Sequence, residues 1–98
     1  MSTTFNQVKE SNLKLLKQYA PIVDRVHGSN HPEFHDVLKT FNNLTKKIDA
    51  AGIKRPDLNN EFAELREITN NYKIPNDVCD TFRAVYNMLE ELDRAYLG

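Results

Sequence analysis

The amino-acid sequence predicts an all-α protein, an up-down-up-down four-helix bundle formed by a single domain over residues 1–98. Apolar residues recur at intervals of three and four, the spacing that places side chains on one face of a helix. Pro32, Pro56 and Pro75 fall where helices are expected to begin, because proline fits the first helical turn. Connections of a few residues favour antiparallel neighbours. No segment shows the alternation expected of a strand.

The first predicted helix passes through Pro21 and ends at Gly28. Its apolar pattern continues in phase beyond the proline, so we expect one kinked helix rather than two. Gly28 is expected to end it in the left-handed conformation that glycine adopts readily. The apolar stripe of this helix comprises Val8, Leu15, Leu16, Tyr19, Ile22, Val23 and Val26.

The second predicted helix begins at Pro32 and closes at residues 50–52, and the third begins at Pro56 and ends in the tract 69–73. Each shows an apolar stripe without a polar break. The inward residues are Phe34, Val37, Leu38, Phe41, Leu44 and Ile48 in the second helix, and Leu58, Phe62, Leu65, Ile68 and Tyr72 in the third.

The fourth predicted helix, residues 74–97 with Pro75 in its first turn, carries the most regular pattern in the chain. Its apolar residues alternate strictly between steps of four and three, which is the seam of a helix packed against other helices. Glu90, Glu91 and Asp93 are expected on the opposite, solvated face. The seam residues are Val78, Phe82, Val85, Leu89, Leu92 and Tyr96.

Composition excludes several classes of partner. The formal net charge of −1 offers no electrostatic footprint for nucleic acid. No apolar run is long enough to span a bilayer, and the N-terminal segment lacks the layout of a secretion signal. The single Cys79 agrees with a reducing compartment. We therefore expect a cytoplasmic protein with no nucleic-acid and no membrane partner.

Three histidines at intervals of four, His27, His31 and His35, raise the question of a metal site. Gly28 and Pro32 lie between them, so one helix should not carry all three. We expect no metal. If a metal binds, His27 is the first candidate ligand because it flanks the inner face of the first helix, followed by His31 and His35.

Cys79 is a candidate reactive thiol, because thiols near helix N-termini can be activated. It belongs to no CxxC motif, and we expect it to be inert or half-buried. The sequence contains no Gly-rich phosphate loop, no GxSxG and no HExxH motif. No catalytic residue is assigned, and the protein is not expected to be an enzyme.

Two segments resemble the hemerythrin-like domain of the iron–sulfur cluster repair proteins, the RIC family of ScdA and YtfE type. Residues 23–48 share a VxxVHG run, the HPEF that follows and an FxxLxxxI helix. Residues 64–92 share an NNY before a proline and then a CxTFxAxY run. Together the segments cover a little over half of the chain, in the same order as in the family.

The resemblance implies a four-helix bundle and a role in repairing iron–sulfur clusters after oxidative or nitrosative damage. His27 stands where the family has an iron ligand. The other ligand positions that fall within this chain are occupied by residues unlike those of the family, namely Asn6, Ala51, Arg55 and Asn59. The resemblance therefore implies a shortened relative that lacks most iron ligands.

Three functions remain open on the sequence. The first is a metal-free relative that acts as a protein-binding or regulatory module, as a homodimer or with a protein partner. The second is an iron-binding protein of the di-iron type, built from the three histidines and nearby carboxylates, within one chain or across a dimer, in cluster repair or the stress response. The third is a small enzyme that uses Cys79. Leu13, Ile53 and Leu97 are the apolar residues left for a partner to cover.

Overall fold

The computed structural model describes residues 2–52 and 54–98, with side chains from residue 5 onward. The described residues form α1 (Ser2–His27), α2 (Glu33–Ala51), α3 (Asn59–Thr69) and α4 (Asp80–Leu97), and they contain no strand. α1 packs most extensively against α4, α2 packs against α3, and α1 also contacts α2. This confirms the prediction of an all-α four-helix bundle.

The core lies between the inward faces of all four helices. Leu16, Phe34 and Phe62 are fully buried, one from each of the first three helices. All the seam residues predicted for the fourth helix are buried as well: Val78, Phe82, Val85, Leu89, Leu92 and Tyr96. The regular four-three pattern therefore identified the inner face of α4 correctly.

α1 is one continuous helix with Pro21 inside it, as predicted. The apolar stripe predicted for the first helix is only partly buried. Leu16 and Val23 are buried together with Ala20. Consecutive residues of a helix point about 100° apart, so the row one position earlier turns outward. That row is exposed, at 39% for Leu15, 38% for Ile22 and 60% for Val26.

Gly28 follows α1, but the predicted left-handed conformation is wrong. Gly52, at the end of α2, is the glycine with a positive φ, of 59°. Gly28 is buried, and its amide donates to the carbonyl of Asp24 as in a continuing helix. A Cβ at Gly28 would come closest to the backbone carbonyl oxygen of Asp24 and would lie 2.7 Å from Cε1 of His35. The close approach of these atoms, rather than a positive φ, explains the glycine.

The third helix begins later than predicted, at Asn59 rather than Pro56. The amide of Leu58 donates to the hydroxyl of Tyr96 at 2.9 Å, and that hydroxyl donates to the carbonyl of Pro56 at 3.0 Å. The guanidinium of Arg55 lies over the Tyr96 ring, 4.1 Å from its centroid. Contacts with α4 therefore hold residues 55–58 out of the helix.

The fourth helix also begins later, at Asp80 rather than near Pro75. Residues 73–79 form a connection with a turn at residues 76–77. Cys79 has an extended backbone, with φ −79° and ψ 171°, and its carbonyl accepts the first helical hydrogen bond. Val78 still reaches the core from outside the helix, which is why the sequence pattern continues through it.

The third helix ends at Thr69, and the predicted helical Tyr72 lies beyond it. Asn70, Asn71 and Tyr72 all have positive φ, at 53°, 61° and 63°. Asparagine tolerates this conformation, whereas a bulky residue such as tyrosine adopts it rarely. The amide of Tyr72 donates to Oγ1 of Thr69 at 2.8 Å, which holds the turn in place.

The prediction of apolar stripes without polar breaks is wrong for α2, α3 and α4. Thr40, Glu61 and Asp93 are buried. Asp93, expected on the solvated face, is only 3% exposed. Its carboxylate accepts from Nε of Arg66 at 2.9 Å and from the hydroxyl of Tyr72 at 2.7 Å. These partners compensate the carboxylate for its lost hydration.

The three apolar residues that the sequence leaves for a partner to cover do not share one environment. Leu13 packs against the core, Leu97 is exposed, and Ile53 lies outside the described residues. Within the described ranges, no helix combines the length and the apolarity needed to cross a membrane.

Candidate functional site

The candidate site lies at the end of the bundle where α1 stops and α4 starts. His27 is the last residue of α1, His31 lies in the connection to α2, and Cys79 immediately precedes α4. Phe82, in the first turn of α4, is the common neighbour of the two imidazole rings. The rings of His27 and His31 each lie 5.5 Å from the Phe82 ring, centroid to centroid, in edge-on contacts.

His27 and Cys79 form a close pair. Nε2 of His27 lies 3.1 Å from Sγ of Cys79, although the residues are 52 positions apart in the chain. Cys79 is exposed, so the alternative that it is half-buried is wrong, and the alternative that it is inert stays a prediction. As the residue that caps α4, it places its thiol at the end of the helix where the backbone dipole is positive.

This geometry has a definite chemical capacity. An imidazole within hydrogen-bonding distance of a thiol can take up its proton, and the thiolate is the nucleophilic form of cysteine. The positive end of a helix dipole favours the negative sulfur. Exposure lets a small electrophile or disulfide reach it. The pair can therefore perform nucleophilic thiol chemistry.

The sequence identified His27 and Cys79 as candidate residues but did not predict that they lie next to each other. The signal that could have done so was topological. In an up-down-up-down bundle, the end of the first helix and the start of the fourth lie at the same end of the molecule. His27 was expected at the first of these positions and Cys79 close to the second.

His31 has its own partners. Nδ1 lies 3.2 Å from Oε2 of Glu33, and Nε2 lies 3.1 Å from Oδ1 of Asp77. Its side chain is 13% exposed. Both ring nitrogens are thus engaged, and His31 links the start of α2 to the connection that precedes α4.

His35 lies in the first turn of α2, and Nδ1 contacts the carboxylate of Asp24 on α1. Its side chain is largely exposed. His27 and His31 therefore both contact the Phe82 ring, but each of the three histidines has a different polar partner. In the part of the chain that the structure describes, no three His, Cys, Asp or Glu side chains are grouped so as to hold a metal ion.

No protein-family model matches the chain, and no solved structure matches it.

Proposed function

We propose that this protein is a metal-free helical regulatory module whose responsive group is the thiol of Cys79, activated by His27. The observation that carries the proposal is the 3.1 Å approach of His27 Nε2 to the exposed Cys79 Sγ at the start of α4. The resemblance to proteins that act after oxidative or nitrosative damage supports it, because such damage produces the oxidised compounds with which thiolates react.

The proposed reaction is thiol–disulfide exchange with a low-molecular-weight disulfide. The Cys79 thiolate attacks one sulfur of the disulfide and forms a mixed disulfide, while the other sulfur leaves as a thiolate. The proton that His27 removed from Cys79 passes to the departing sulfur. One S–S bond breaks and one forms, so no further oxidant is needed. The adduct would lie beside His27, at the end of the bundle where α1 stops and α4 starts.

The test is the rate at which iodoacetamide alkylates Cys79 at neutral pH, followed by intact-mass spectrometry. The chain contains one cysteine, so the mass increase reports this thiol alone. We expect His27→Gln to slow alkylation severalfold, because the imidazole no longer accepts the thiol proton. His35→Gln is the matched control, since His35 contacts Asp24 instead. Equal rates for all three proteins would exclude the role given to His27.

Iron binding is the alternative function, and one observation favours it. The rings of His27 and His31 both contact Phe82, Cys79 pairs with His27, and imidazole and thiolate are ligands that iron accepts. His31, however, would first have to leave Glu33 and Asp77. One ligand position of the resembled family holds Arg55, which is stacked on Tyr96.

Metal analysis separates the two functions. We expect ferrous iron added anaerobically to give no stoichiometric binding, and His27→Ala to change stability rather than metal content. A di-iron centre needs several inward carboxylates and histidines from different helices. Two irons per chain, or one per chain that is lost on His27→Ala, would support the alternative and contradict the metal-free proposal.

Protein binding through α1 is a further part of the proposed module. The exposed residues Leu15, Ile22 and Val26 follow steps of seven and four, with Val8 and Tyr19 half-buried in the same row. Steps of four and three are those by which one helix packs against another. We propose that a second copy of the chain covers this row, which we call the outer row of α1.

A further inference from the structure

A cavity of about 410 Å³ opens between the start of α2, the end of α3 and the connection to α4. This volume lies within the range of about 300–1,000 Å³ that is usual for small-molecule sites. The side chains that matter for its chemistry are Glu33, Ile68, Lys73, Ile74, Pro75 and Tyr86. The cavity is separate from the His27–Cys79 pair, and none of the proposals above uses it.

The hydroxyl of Tyr86 is the unusual feature of this cavity. Tyr86 is 1% exposed and lines the cavity, yet no described residue hydrogen-bonds its hydroxyl. Among the side-chain polar atoms of the described residues, only Oδ1 of Asp24 is both buried and without a hydrogen bond, so the Tyr86 hydroxyl keeps access to the cavity and can donate to water or to a ligand there. The hydroxyls of Tyr72 and Tyr96 are instead used within the protein, since Tyr72 donates to Asp93 and Tyr96 donates to the carbonyl of Pro56.

The Tyr86 ring is held firmly, so the hydroxyl has a fixed position. It stacks on Phe34, with centroids 6.2 Å apart and planes 10° apart, and it packs against Phe82 at 4.8 Å. Burial, together with the nearby Glu33 carboxylate, raises the pKa of Tyr86 to about 12. The hydroxyl therefore keeps its proton at neutral pH and offers a donor to an acceptor in the cavity.

The charges around the cavity indicate what such an acceptor belongs to. Lys73 supplies a cation that forms no ion pair with any residue in the described ranges. Glu33 supplies an anion, one oxygen of which already contacts His31. Ile68, Ile74 and Pro75 supply an apolar wall. Opposite charges beside an apolar wall suit a ligand that carries both charges and one apolar group.

We propose that this cavity binds a free amino acid with an aliphatic side chain. Its carboxylate is received by the Tyr86 hydroxyl and the Lys73 ammonium group, and its ammonium group by Glu33. Its side chain lies against Ile68, Ile74 and Pro75. A ligand carboxylate would give the Tyr86 hydroxyl the hydrogen bond that it lacks within the protein.

The test is isothermal titration calorimetry with L-leucine as the probe, up to millimolar concentration. We expect saturable binding to the wild-type protein. Leucinamide lacks the carboxylate and 4-methylpentanoate lacks the ammonium group, so both should bind at least tenfold more weakly than leucine. Absence of leucine binding, or equally tight binding of 4-methylpentanoate, would overturn the assignment.

Variants locate the binding. Tyr86→Phe should weaken leucine binding by roughly tenfold, the effect of one lost hydrogen bond. Tyr19→Phe removes a hydroxyl from α1, outside the cavity, and should leave binding unchanged. Lys73→Gln alters an exposed side chain, so it tests the site without affecting the core. Unchanged affinity in both Tyr86→Phe and Lys73→Gln would show that leucine binds elsewhere and that the proposal is wrong.

Discussion

At the scale of single residues, hydrogen-bond partners decide which polar groups the core accepts. Asp93 is buried because Arg66 and Tyr72 both donate to it. Burial and the hydrogen bond to Asp93 in turn raise the pKa of Tyr72 well above its ordinary value. Tyr86 is buried by the aromatic rings around it without such a donor–acceptor pair. One tyrosine is thus bound within the protein, and the other is available to a ligand.

The raised pKa of Tyr86 predicts a loss of stability in alkaline solution. Its folded pKa of about 12 exceeds the ordinary value of 10.0. Between these values the folded state retains a proton that the unfolded state has released. Its contribution to stability is therefore fully present below pH 10 and is lost as pH rises toward 12.

Urea unfolding monitored by circular dichroism between pH 9 and about pH 11.5 measures this contribution. We expect the free energy of unfolding to fall less steeply in Tyr86→Phe than in the wild-type protein. Lysines titrate in the same range, but both proteins contain the same lysines, so their effect cancels in the comparison. Parallel curves for the two proteins would contradict the assignment of the pKa shift to Tyr86.

At the scale of helices, an apolar pattern can serve two surfaces at once. The seam predicted for the fourth helix is buried throughout, and α4 also buries Tyr86 and Asp93 beside it. α1 has two rows of apolar residues, of which only the row with Leu16, Ala20 and Val23 reaches the core. Leu15 and Leu16 are neighbours in sequence and differ completely in burial. The position of the neighbouring helices, rather than the pattern itself, decides which row is buried.

Two leucines test this distinction. Leu89→Ala removes a side chain that is 1% exposed and should lower the free energy of unfolding by about 2–5 kcal/mol, because it leaves a cavity in the core. Leu15→Ala makes the same chemical change in the outer row and should cost about 0.5 kcal/mol or less at low protein concentration. Denaturant unfolding measures both. Equal losses would mean that the assignment of inner and outer rows is wrong.

At the scale of the whole molecule, the outer row of α1 is the apolar surface most in need of a partner. The described part of the chain measures 38 × 22 × 21 Å, so a row that runs most of the length of α1 occupies much of one side. Rows of exposed apolar residues of this kind commonly mark contact sites between proteins. The proposed second copy would bury them.

Sedimentation velocity over a range of concentrations tests the assembly. We expect the wild-type protein to form dimers as its concentration rises. Ile22→Lys should shift the equilibrium to monomer by placing a charge at the contact. Leu97→Lys is the matched control, since Leu97 is also apolar and is more exposed than Ile22, at 64% against 38%, but lies at the end of α4, off the outer row. A wild-type monomer at all concentrations, or dissociation by Leu97→Lys alone, would contradict the proposed interface.

The sequence by itself determined the helical class, the continuity of α1 through Pro21 and the inner face of α4. These follow from local rules, because the spacing of apolar residues sets the face of a helix and proline limits where a helix can begin. It also named His27 and Cys79 as residues with chemical potential. None of these inferences requires information about which helices pack against each other.

Only the tertiary structure decided the helix starts at Asn59 and Asp80, the burial of Asp93 and the pairing of His27 with Cys79. Three of these depend on a partner distant in sequence: Tyr96 for the start of α3, Arg66 for Asp93, and His27 for the thiol of Cys79. Hydrogen bonds between residues so far apart in the chain produce no periodic pattern in a single sequence. That is why the core could be predicted from the sequence and the geometry of the candidate site could not.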